Sequence, residues 1–146
     1  MFGFMLFVHL TGLFVWLGAL MGTLVMLGLL KNQLGSPDTN QLAQRLIRIF
    51  SMLSHSGALL VLVSGIYMIV QMGAGSDKPL WLEVMEKGGG TIVLLAIVLT
   101  GILGNKVKKR LSGGAGQPAK LSGYVAALST FMVLIVSVVL VVSLRI

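Results

Sequence analysis

The sequence contains no cysteine. It can therefore build no disulfide framework, no thiolate metal site and no cysteine-held iron–sulfur cluster. Acidic residues are also scarce, with four Asp and Glu among 146 residues against eleven Lys and Arg. No paired carboxylates and no nucleophile–base constellation stand out, so no catalytic residue is assigned and enzymatic activity stays open. Charged residues of both signs make up only 10% of the chain, where a soluble domain averages about 25%. Water cannot be the solvent for most of such a surface.

Apolar residues, at 56%, fall in long runs. A membrane-spanning helix needs about 20 mostly apolar residues. Met1 to Leu30 meets that length with one ionisable side chain, His9. Ile49 to Met72 also has one, His55, and Leu121 to Leu144 has none. Gly88 to Gly104 is shorter, but the residues from Pro79 onward can lengthen it. An outer-membrane barrel would instead alternate polarity over strands of about ten residues. The first run lacks a basic leader and is too long for a signal peptide's apolar core. The expected fold is all-α, a four-helix transmembrane bundle formed by residues 1–146 as one domain, with the lipid bilayer as its solvent.

The net charge of +7 would point to nucleic acid in a soluble protein. Here the cations sit in the loops, so topology explains them and no nucleic-acid partner is expected. Lys31, Arg45, Arg48, Lys106, Lys108, Lys109, Arg110 and Lys120 flank the first and third loops, against Lys78, Lys87 and Arg145 on the other side. Eight against three places loops one and three in the cytoplasm and both termini outside. The expected location is a cell membrane of bacterial inner-membrane type.

Local signals mark the connections. Gly35 suits a helix C-cap, and Asp38 or Thr39 an N-cap. Gln41 to Arg48 reads as a helical extension into the cytoplasm, and Ser112 to Pro118 as a flexible loop. Trp81 falls at interfacial depth. Helices in lipid associate through small residues. Gly18 and Gly22 on helix one, Ser51, Ala58 and Gly65 on helix two, Thr100 and Gly104 on helix three, and Ser122, Ala126, Ser129, Val133 and Ser137 on helix four are the expected inward stripes.

A titratable side chain inside a bilayer is costly and marks a functional site by default. Histidine is also a common ligand of haem and metals. Both His9 and His55 are therefore candidate metal ligands, weighed against a plain role as hydrogen-bonded helix linkers. If helices one and two fold back about the turn near Ser36 and Pro37, residue i faces residue 73 − i. His9 then lies level with Ser64 and His55 with Gly18, an offset of nine residues or about 13–14 Å along the helix. Two axial ligands of one iron must instead lie on a single axis, so the two histidines are expected to serve separate levels. Folding helix three back near Ser76 brings Lys87 and Gly88 to the level of His9. Gly88, Gly89 and Gly90 cost about 1 kcal/mol each in a helix, a cost that close approach by a flat ligand would justify. Lys87 could pair with a propionate or another anion, or simply snorkel. Nine methionines, among them Met5 near His9 and Met52 near His55, raise copper as an alternative, although methionine is also a common apolar filler.

The run His9-Leu10-Thr11-Gly12-Leu13-Phe14-Val15-Trp16-Leu17-Gly18 resembles the first helix of two related groups. These are the CopD-type copper-resistance proteins and the four-helix membrane protoporphyrinogen oxidases. Arg45-Leu46, Gly57 and Trp81-Leu82 with Lys87 are similar to the oxidase group as well. The resemblance covers Val8 to Arg110 and implies haem b bound through His9, with Trp16 beside it. This chain departs from the oxidases in lacking a proline and arginine within Leu24 to Leu30, so protoporphyrinogen oxidation is not carried over.

The sequence thus points to a membrane haem b protein that transfers electrons with a quinone, a small oxidant or another redox partner. Its cofactor contacts would come from His9, His55, Lys87, Trp16, Gly88 and Gly89, and its iron ligands from His9 and His55. Pairing of His9 across a homodimer is left open. The alternatives are copper or haem handling of CopD-like type and a cofactor-free accessory subunit.

Overall fold

Four helices, each long and apolar enough to cross a bilayer, make up the protein in a computed structural model that describes residues 1–73, 80–113 and 121–144. They are α1 (Phe2–Leu30), α2 (Pro37–Gln71), α3 (Leu80–Ser112) and α4 (Ser122–Leu144). The expected all-α bundle is what forms, and it is the architecture of a multi-pass membrane protein. Of the two further loops, 74–79 and 114–120 lie outside the described residues, so most of the expected Ser112–Pro118 loop is not described.

The turn between α1 and α2 corrects the expected caps. The helix ends at Leu30, with Lys31 still right-handed, and Gly35 is not its cap. Gly35 takes φ +121° in the following turn, a conformation open to glycine but strained for other residues. Neither Asp38 nor Thr39 caps α2; Ser36 does, its Oγ accepting the Thr39 N–H at 3.3 Å. Proline explains the choice. Pro37 holds its predecessor extended (Ser36 φ −79°, ψ 142°) and itself suits the first helical position.

α1 and α2 form the tightest pair in the bundle, and they meet at glycine. A β-carbon on Gly57 would lie 2.8 Å from the Trp16 backbone nitrogen and 3.0 Å from the Gly12 carbonyl oxygen. One on Gly12 would lie 3.0 Å from the Gly57 carbonyl oxygen. Gly22 approaches Phe50, but a β-carbon on exposed Gly18 would touch nothing within 4 Å. The close crossing is therefore Gly12 with Gly57, where Gly18 and Gly22 had been expected to form it.

Thr100 and Gly104 of α3 are buried as expected, Gly104 against the Tyr124 ring. α4 reverses its expected face. Ser122, Ala126, Val133 and Ser137 are exposed and Ser129 is half-buried, while Tyr124, Leu128, Phe131 and Ile135 point inward. Small residues shorten an interhelical distance only where both backbones approach. α4 instead meets its neighbours through large side chains.

The extension of α2 past the first loop does not stand alone in solvent. Ala43 and Ile47 are fully buried in one cluster with Leu27, Val107, Leu111 and Leu121, and Ser112 Oγ bonds Gln44 Oε1 at 3.3 Å. This end of the bundle is packed like a soluble core.

Candidate functional site

His9 sits near the end of the bundle that carries the start of α1 and the end of α4. Its Nδ1 lies 3.1 Å from the Val61 carbonyl oxygen and 3.0 Å from Ser64 Oγ. The hydrogen positions follow from chemistry. The Ser64 hydroxyl donates to the Leu60 carbonyl, so its oxygen is the acceptor toward His9, and the Val61 carbonyl can only accept. Nδ1 therefore carries the proton and Nε2 keeps its lone pair. This is the arrangement in which a backbone carbonyl fixes the tautomer of a metal-binding imidazole. Ser64 is the residue that the 73 − i register places opposite His9. Gly65 completes the seat, because a β-carbon there would stand 3.4 Å from His9 Cε1.

The His9 ring lines a cavity of about 370 Å³ between all four helices, within the roughly 300–1,000 Å³ of cofactor pockets. Trp16 and Val61 line it from α1 and α2, and Ile135 and Val138 from α4. Leu6, Leu10 and Val139 line it while remaining exposed on the outer face of the bundle, so its rim includes the apolar surface.

The α3 wall is unusual. Residues Val84–Gly89 form a π-helical turn between two α-helical stretches. Such turns are rare and concentrate at functional sites. Met85, Glu86, Gly89 and Gly90 line the cavity from this turn and its end. Gly89 and Gly90 present backbone without side chains, as a flat ligand requires. Gly88 does not line the cavity, and a β-carbon on it would approach only Val84. Lys87 also faces away, exposed, with Nζ 2.6 Å from Glu83 Oε1. A surface ion pair of this kind adds little stability.

His55 is held quite differently. Its Nδ1 lies 2.6 Å from the Ser51 carbonyl oxygen and its Nε2 3.2 Å from the Ile97 carbonyl oxygen. Ser51 Oγ also lies 3.4 Å from Nδ1, so both nitrogens are taken up by neighbouring backbone and hydroxyl groups of α2 and α3 and neither is set aside for a metal. Gly101 leaves room for this link between α2 and α3, with a β-carbon there placed 3.3 Å from Nε2. His55 borders a separate space of only about 10 Å³, shared with Ser51, Ser54, Thr23, Thr100 and Tyr124. The two histidines thus belong to different levels and do not share a cavity.

Compared with known protein families, curated proteins and solved structures, the chain matches none. Function therefore rests on the site itself. Of the sequence candidates, His9, Trp16 and Gly89 come together around the cavity; Gly88, Lys87 and His55 do not join them. Met52 is exposed, and Met5 does not line the cavity. Sequence reasoning missed Met85 and Glu86 as lining residues, and it had Gly90 only as part of the glycine run. No periodicity reveals the first two, because a π-turn shifts the facing of residues. Among the described residues no three His, Cys, Asp or Glu side chains cluster in a way that could hold a bare metal ion. A porphyrin supplies four nitrogens of its own and asks the protein for only one or two ligands. A single prepared imidazole beside an apolar, glycine-walled cavity fits that demand.

Proposed function

We propose that this protein is a membrane haem b protein that transfers electrons, with His9 as the residue that would hold its iron. The observation that carries the reading is the His9 seat: Nδ1–H fixed by Val61 and Ser64, with the ring lining an apolar cavity. A haem bound there would supply one-electron redox chemistry. The chain's own residues do the rest. Val61 and Ser64 orient the imidazole and raise its basicity. Trp16, Val93 and Ile135 exclude water from the inner side. Gly65, Gly89 and Gly90 leave space for a flat ring.

The exposed apolar rim at Leu6, Leu10 and Val139 supports exchange with a partner that diffuses in the bilayer, such as a quinone. A bacterial inner membrane belongs to the same proposal, as does kinship with the CopD-type or protoporphyrinogen-oxidase groups, which rests on the first-helix motif. The test is purification in detergent after expression with haem available. A red protein with a Soret band and about one haem per chain is expected. A colourless protein that takes up no added haem would overturn the reading.

A further inference from the structure

We propose that Met85 Sδ is the second axial ligand of the iron held by His9. This rests on the haem reading above and adds to it the electronic character of the site. The cavity offers few side chains able to share an electron pair with iron. Besides His9 these are Met85, Glu86 and Ser143; the Trp16 indole can only donate a proton. A serine hydroxyl is a weak ligand for iron. A carboxylate such as Glu86 must carry its charge into an apolar space, which is costly. A thioether enters the same space with no charge to desolvate, and its soft sulfur is a known haem ligand.

Placement agrees with the chemistry. His9 reaches the cavity from α1, and Met85 reaches it from α3. Two residues on different helices could both reach a group bound between them. Met85 also lies within the π-turn, the one departure from α-helical winding inside the four spans. His55, the other nitrogen ligand in the sequence, has both nitrogens against carbonyls and lines a different space.

The test compares the wild-type protein with Met85→Leu, Met85→His and Met52→Leu, all haem-loaded in detergent. Leucine nearly conserves the volume of methionine, so Met85→Leu should fold and retain haem through His9. The oxidised wild type should show the near-infrared sulfur-to-iron charge-transfer band of His/Met ligation. Met85→Leu should lose that band, turn high-spin and show a lower midpoint potential. Met85→His should give a low-spin bis-imidazole spectrum. Met52→Leu, altered on the exposed face, should leave the wild-type spectrum unchanged. If the wild type binds haem but Met85→Leu keeps the wild-type spectrum, the Met85 assignment is overturned while the haem reading stands. If the wild type binds no haem, the haem reading fails and Met85 falls with it.

Discussion

Whether a histidine can bind iron depends on what occupies its two nitrogens. His9 and His55 both lie in apolar helices, and in the sequence only the first-helix resemblance set His9 ahead. Hydrogen bonding separates them: His9 gives up only Nδ1, to Val61 and Ser64, while His55 has both nitrogens against carbonyls. His9→Ala is therefore expected to abolish haem retention, while His55→Ala keeps at least about half of it. The haem-to-protein ratio of the purified variants reads this directly, and equal retention in His9→Ala would remove His9 as the ligand. Ser64→Ala deletes one acceptor of the Nδ1 proton but leaves Val61 in place. Loss of such an outer partner costs about 10–100-fold in metal affinity, and the lower end is expected here. A haem titration of Ser64→Ala that matches wild type would show that Val61 suffices.

At the scale of the helices, the bundle depends on where backbones touch. Hydrophobicity gives little net drive to association in lipid, so close packing has to supply it. Gly57 against Trp16 and Gly12 is that place in α1 and α2. Gly57→Ala sets a methyl group against backbone that cannot rotate away, and overpacking of this kind costs about 1–3 kcal/mol. Gly18→Ala meets nothing and gains helix propensity worth up to about 1 kcal/mol. Unfolding of the two variants in mixed micelles should move in opposite directions. A Gly57→Ala protein as stable as wild type would mean that the crossing is looser than the contacts imply. α4 is arranged otherwise. Ser122, Ala126 and Ser137 look outward, and Leu128 and Phe131 make its buried contacts instead.

The whole molecule places the His9 cavity and the His55 link at separate depths, with the start of α1, the π-turn and the end of α4 gathered around the first. The cation bias predicts that this end lies on the outer side. Fusions after Gly35 and Gly114 should therefore be active with cytoplasmic reporters alone. An externally active reporter at Gly114 would invert the orientation. With haem bound, anomalous scattering should place iron beside His9 and none within bonding distance of His55. One iron between the two histidines would contradict both the antiparallel register and the hydrogen bonds of His55.

Composition alone was enough to determine the solvent and the fold class. Four apolar runs with few charges have no alternative to helices in a bilayer, since every buried backbone group must bond within its own segment. The register was legible as well, because short connections force antiparallel neighbours: His9 meets Ser64, and His55 meets Ile97, near the levels that folding about Ser36 and Ser76 gives. Spacing cannot disclose which nitrogen of a histidine is free, which glycine touches a backbone, or which way α4 turns its small residues. Those depend on contacts between helices, and in lipid nearly every face of a helix is apolar, so the usual contrast between inside and outside is missing from the sequence. The π-turn that carries Met85 and Glu86 into the cavity was decided by the tertiary structure for the same reason. The run Gly88-Gly89-Gly90 marks the place in the sequence, but which side chains the changed winding turns toward the cavity appears only in the folded bundle.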